Sequence, residues 1–132
     1  MTASKWKALR NKLIAERGLA CAMCGRVETD AKKIHAHEEW HYDTTTTPAR
    51  AIVVGVELIC GKCHAVEHFG RLRILYKRGE IGVAVLNDVI AHFCKTNDAT
   101  VDEFLAHEER VVAEWRKLCD IKEWVVDAAR FV

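Results

Sequence analysis

Residues 60–68 read CGKCHAVEH, and upstream, at 21–24, stands CAMC. The question they pose is one of stoichiometry: one metal site, or two. Structural zinc takes four ligands in a tetrahedron, and two Cys-x2-Cys knuckles supply four thiolates. Cys21, Cys24, Cys60 and Cys63 fill that shell, which leaves His64 and His68 over. Their i, i+4 spacing sets both imidazoles on one face of the helix expected after the second knuckle, an arrangement suited to chelating a second ion. The stretch therefore predicts a cysteine staple with a second, histidine-based site beside it.

Composition sets the context for that chemistry. The chain of 132 residues is one domain's length, and 50% hydrophobic with 30% charged residues is the balance of a folded protein, not a disordered one. No apolar run approaches the roughly 20 residues that cross a bilayer, and MTASKWKALR lacks the apolar stretch of a signal peptide. These features predict no membrane partner and a cytoplasmic location, where six cysteines point to metal and not to a disulfide framework. Cys94 and Cys119 stand alone on apolar-periodic stretches and are expected to be small buried hydrophobes.

The net charge of +1 conceals a segregation. Residues 1–33 hold eight basic residues against three acids, and residues 62–80 five against two, whereas from 98 onward nine acids face five bases. Two basic segments on one face would meet phosphates, with the acidic tail turned away. Solvated helix sides account for the same charges equally well.

Along the chain, Ser4 is expected to cap a helix with Trp6, Leu9, Leu13 and Ile14 on one face, closed by Gly18. IHAHEEWHY at 34–42 is the first strand, DTTTTP breaks it, and AIVVGVELI at 51–59 is its hairpin partner. A short helix from Cys63 ends near Gly70. IGVAVLNDVIAHFC has helical periodicity, and Thr100 with Glu103 forms a capping box for a helix through Phe104, Val111, Trp115 and Leu118. A shorter helix, IKEWVVDAARFV, closes the chain.

Strand, loop, strand and metal-binding helix, stapled by four cysteines, is the order in which HNH endonucleases present their residues. From Trp6 to Gly70 the chain resembles that ββα-metal family through CAMCG, IHAHEEW and LICGKCHAVEH. The resemblance implies that two adjacent residues near the end of the first strand do the chemistry, the first binding a divalent ion and the second acting as general base. Laid on that pattern by its apolar flank, IHAHEEW puts His37 at the metal position and Glu38 at the base position, with His64 and His68 completing the metal's protein ligands. A one-residue slip makes His37 the base and leaves Ala36 at the ligand position, so that His35 would have to assist. The family's middle Asn is replaced here by Gly55 or a near neighbour.

What the resemblance implies is hydrolysis of phosphodiester bonds in DNA, double-stranded DNA being the expected partner, with Lys5, Arg10, Arg71 and Arg73 holding the backbone. An all-imidazole site suits zinc, nickel or manganese better than magnesium. Trp40 is expected to pack the hairpin against the helix. Two other functions compete: a zinc-stapled DNA-binding or adaptor module that cleaves nothing, and a zinc peptidase suggested by HEEWH at 37–41, a formal H-E-x-x-H that needs a helix. The expected fold is α+β: residues 1–70 form the zinc-bound nuclease core, and residues 71–132 a helical extension packed on it, available for a homodimer through its helices.

Overall fold

Two strands that exchange side chains with a helix on each face organise the molecule. In the computed structural model, which describes residues 2–129, helix α1 (Ala3–Arg17) precedes the knuckle and a single 3-10 turn at Ala31–Lys33. Strands β1 (Ile34–Asp43) and β2 (Ala49–Cys60) follow, then helices α2 (Gly61–Glu67), α3 (Phe69–Lys77), α4 (Val83–Asn97) and α5 (Val101–Cys119), and a last strand β3 (Trp124–Asp127). The result is a small α+β domain with a three-stranded sheet of order β1-β2-β3.

Thr2, and not Ser4, caps α1: its Oγ1 accepts the Lys5 amide at 3.3 Å, so the helix starts earlier and Ser4 falls in its first turn. Gly18 ends the helix at φ 76°, a backbone angle that side chains with a Cβ rarely adopt. Leu13 then packs with Ile34, Ala36, Val56 and Leu58, and Trp6, Leu9 and Ile14 cover the edge of that cluster. Arg10 pins the same helix to the sheet by donating to the Ile34 carbonyl at 3.0–3.1 Å and to the Ala31 carbonyl.

β1 and β2 pair antiparallel from Ile34 opposite Cys60 to Asp43 opposite Arg50, with a bulge between Glu39 and Trp40 that leaves Val54 unmatched. Successive side chains alternate between faces. Ile34 and Ala36 therefore face α1, and His35 and His37 face α2. Trp40 does not pack the hairpin against a helix; it stacks on Tyr42 with centroids 6.4 Å apart, and Tyr42 meets Trp124 edge-on at 5.9 Å.

Three expectations need correction in the second half. The helix after Cys63 does not stop near Gly70: it breaks at His68, whose φ of −108° and ψ of 32° leave the helical region, and resumes as α3 to Lys77. The closing segment is not a helix. Trp124–Asp127 pairs parallel with Ala49–Ile52, because Trp-Val-Val suits a pleated strand and the outer edge of β2 there offers unpaired backbone. Residues 130–132 of that segment lie outside the described ones. Cys119 is exposed, since it sits in the last turn of α5 beyond the core, whereas Cys94 is half-buried.

α4 and α5 share a core with α2 and α3. Phe69, Leu86, Val89 and Phe104 form one buried cluster, with Phe104 meeting Phe69 and Phe93 edge-on at 5.0 and 5.1 Å. The capping box is present as expected, Thr100 accepting the Glu103 amide at 3.2 Å. Arg73 of α3 grips Glu108 of α5 with two hydrogen bonds of 3.1 and 2.7 Å.

Because Phe104 is only 2% exposed and binds α3, α4 and α5 together, Phe104→Ala should cost about 3–5 kcal/mol in urea unfolding. The tryptophan fluorescence and far-UV transitions should shift together. Separate midpoints would mean that the extension unfolds independently of residues 1–70.

Candidate metal centre and histidine cluster

The four cysteines of the two knuckles meet. Cys21 and Cys24 lie on a turn closed by the Gly25 amide bonding to the Cys21 carbonyl at 3.0 Å, and Cys60 and Cys63 lie at the junction of β2 with α2. Their sulfurs fall within 4.8 Å of one another, and Cys24 Sγ is 3.7 Å from Cys60 Sγ. Four ligands held at a zinc–sulfur distance of ~2.3 Å stand ~3.8 Å apart around a tetrahedron, so the cluster has the dimensions of a metal-bound set. All four are free thiols. Backbone amides point at the first sulfur of each pair, Cys24 N–H to Cys21 Sγ and Cys63 N–H to Cys60 Sγ, both at 3.5 Å.

The thiols differ in how readily they ionise. Burial raises Cys21, but amides of Cys24, Cys60 and Met23 aimed at its sulfur outweigh that and bring it down to about 7. Burial and the neighbouring cysteine side chains push Cys63 up, and burial raises Cys24. One thiolate forms easily, therefore, whereas Cys24 and Cys63 wait for a cation to offset the accumulating negative charge.

Directly beyond this quartet lie four imidazoles. His35 of β1 stacks on His64 of α2 with centroids 4.7 Å apart and planes 11° from parallel. His37 meets His64 edge-on at 5.8 Å and His68 at 5.3 Å, and His64 meets His68 at 4.6 Å. Imidazoles bound to one ion at ~2.1 Å have centroids ~3.2 Å from it, hence about 4.5–5.2 Å from each other at 90–109°. His37, His64 and His68 are spaced close to that range. Their nitrogens are less converged than the sulfurs: among the described residues only the cysteines bring three or more potential ligand atoms within 4.8 Å of one another. The His64 pKa is lowered to about 4, first by burial and then by the charges of His35, His68 and His37, with Glu38 acting weakly the other way. His64 is thus neutral, with a lone pair to give, at any pH above about 5.

Two glutamates stand next to the cluster. Glu38 lies opposite Val56, and strand alternation puts it on the Ile34 and Ala36 face. Glu39 lies opposite Gly55 and shares the parity of His35 and His37. Gly55 makes room for it: a Cβ there would sit 2.9 Å from Glu39 Oε2. Parity alone could have singled out Glu39 in the sequence.

His92 of α4 is the second residue that pattern reading missed, its Nε2 lying 3.1 Å from Cys63 Sγ. Burial, followed by the charges of Lys62 and Arg26, lowers its pKa. No spacing rule connects it to Cys63, 29 positions away. Of the four basic residues expected at the phosphate backbone, Arg10 and Arg73 are engaged within the fold, whereas Lys5 and Arg71 are exposed. The HEEWH stretch lies on a strand, where His37 and His41 are separated by ~13 Å, and not on the single helix that H-E-x-x-H requires.

No family model, curated protein or solved structure matches the chain.

Two measurements follow from these sites. Cys60→Ser should lose the tightly held metal and melt earlier, because in so small a core metal binding is part of folding; unchanged metal content would remove Cys60 from the ligand set. His64 is an acid-sensitive group. In the metal-free protein its depressed pKa leaves folding unaffected above the unfolded value of ~6.5 and destabilises the fold as pH drops from there towards 4, since only the unfolded chain takes up the proton. His64→Gln should flatten that acid limb of the stability curve. A His64 ring titrating near 6.5 by NMR would contradict the burial.

Proposed function

We propose that the protein is a metal-dependent endonuclease of the HNH type that hydrolyses phosphodiester bonds in DNA, with zinc on Cys21, Cys24, Cys60 and Cys63 as a structural staple. The observation that carries this is the meeting of His35 and His37 from the first hairpin strand with His64 from the helix that the second knuckle begins and His68 from that helix's C-terminal cap. His37, His64 and His68 hold a second divalent cation, for which an all-imidazole set favours zinc, nickel or manganese over magnesium. When bound, that cation supplies Lewis-acid stabilisation of charge on the phosphate. The chain's own groups do the rest. His64 takes its position from α2, whose Cys60 cap is tied to the staple, His68 from the cap that ends that helix, and His37 from β1, so the three imidazoles are oriented before substrate arrives.

The proton from the attacking water goes to one member of the Glu38–Glu39 pair. The family pattern points to Glu38 and the parity of the strand to Glu39, whose carboxylate crosses Gly55 on the histidine face. Lys5 and Arg71, both exposed, supply backbone contacts without base readout.

A second function has its own support. The imidazole nitrogens are less converged than the sulfurs, as expected of a stapled DNA-binding module that no longer cleaves. In either case α5 presents Val111 and Trp115, the latter 63% exposed, as a surface for a second copy of the chain.

A plasmid-nicking assay across divalent ions decides between them. Wild type should cleave, His64→Ala and His68→Ala should not, and both variants should keep the staple's zinc. Whichever of Glu38→Gln and Glu39→Gln lowers turnover by roughly 10²- to 10⁴-fold identifies the base. A wild type that binds DNA in a salt-dependent manner yet cuts nothing with any ion would establish the binding module.

A further inference from the structure

A metal–thiolate centre depends on the N–H groups aimed at its sulfurs, because each withdraws electron density from an anionic ligand and holds its orientation. Three of the four sulfurs here have a backbone amide facing them: Cys21 that of Cys24, Cys60 that of Cys63, and Cys24 that of Arg26. Among the described residues Cys63 has no backbone donor of this kind. It has instead the His92 imidazole, with Nε2 at 3.1 Å. The contact comes from a different part of the chain: Cys63 is in the first turn of α2, and His92 is on α4.

Solvent reaches this corner of the centre. His92 lines both of two adjoining clefts, one of about 410 Å³ that includes Cys63, Met23 and Phe93, the other of about 650 Å³ that includes Cys24, Lys62 and Asp88. Cys63 is itself only 3% exposed, and the imidazole sits against its sulfur.

We propose that His92 is a positioning residue of the cysteine metal centre: it carries its proton on Nε2, donates it in a hydrogen bond to the metal-bound Cys63 thiolate, and thereby latches α4 onto the staple. This rests on the four cysteines holding a metal. A metal-bound thiolate has no proton to offer, so the hydrogen between the two atoms must be the imidazole's, which fixes the tautomer. Phe93, the next residue of α4, packs against Phe104, so the latch joins the metal centre to the core of the helical extension.

The test uses the full chain. Wild type, His92→Phe and His92→Gln are loaded with one equivalent of cobalt(II), and the thiolate-to-cobalt charge-transfer band is recorded with the rate at which the metal passes to a chelator. In His92→Phe the band should move to lower energy, because the Cys63 sulfur becomes more electron-rich, and transfer should be roughly tenfold faster, the lower end of what outer-shell partners contribute to metal affinity. His92→Gln, with an amide N–H at similar reach, should restore both, which a merely space-filling role would not require. Nitrogen-15 NMR of the unsubstituted zinc-loaded protein should show His92 protonated at Nε2, an observation independent of whether His92→Phe folds.

Superimposable bands and equal transfer rates in wild type and His92→Phe would overturn the proposal, as would a proton found on Nδ1 alone. A wild-type spectrum of three sulfurs and one nitrogen would also overturn it by making His92 a ligand. If wild-type protein bound no cobalt through sulfur, it would be the metal centre itself that failed, and that result is distinct from the others.

Discussion

The mutual approach of four sulfurs is the constraint on which the remaining geometry depends. Cys21 and Cys24 belong to the turn after α1, and Cys60 and Cys63 to the joint between β2 and α2, yet their sulfurs share one small volume. Without a cation this is an uncomfortable arrangement, since burial and neighbouring thiols push Cys63 away from ionisation. With one, the same crowding would become four coordinate bonds that draw two segments to a common point. α2 is only seven residues long, too short to be stable alone, and its first turn is held by Cys60 and Cys63. The orientation of His64 and His68 is therefore borrowed from the sulfur centre.

The sheet supplies the other half of the histidine cluster by a simpler device. Alternation gives β1 an apolar face for α1 and an imidazole face for α2, so one strand serves as core and as site wall. The same alternation separates two adjacent carboxylates, Glu38 and Glu39, which sequence proximity would treat as equivalent. Gly55 leaves space for the Glu39 carboxylate to lie across β2.

Much of this was legible beforehand. The Cys-x2-Cys pairs, the hairpin broken by the threonine run, and the Thr100–Glu103 box are local signals whose cause lies within a few residues, and each stands where expected. What escaped depends on contacts across the chain. Trp124–Asp127 is a strand because β2 offers an edge, which no window around WVVD can reveal, and the preceding helical pattern pulls such a window the wrong way. His92 reaches Cys63 only through the packing of α4 on α2. Arg10 and Arg73 look like surface charge until their partners, backbone carbonyls of the Ala31–Ile34 segment in one case and Glu108 in the other, are in place. Local chemistry could be read ahead of time, and the assignment of charged and edge residues to their partners could not.

The parallel pairing of β3 with β2 bears on how the protein is made. By the time the ribosome has added Cys60, both hairpin strands and the first cysteine knuckle have been made, but the outer edge of Ala49–Ile52 has no neighbour until Trp124 follows 64 residues later. At ~5–20 residues per second that interval is on the order of 3–13 seconds. During it a nascent chain displays an open strand edge, the kind of surface that recruits a foreign strand. Newly made chains on one message would be each other's nearest source of such strands, so crowding of ribosomes is a hazard written into the order of the elements.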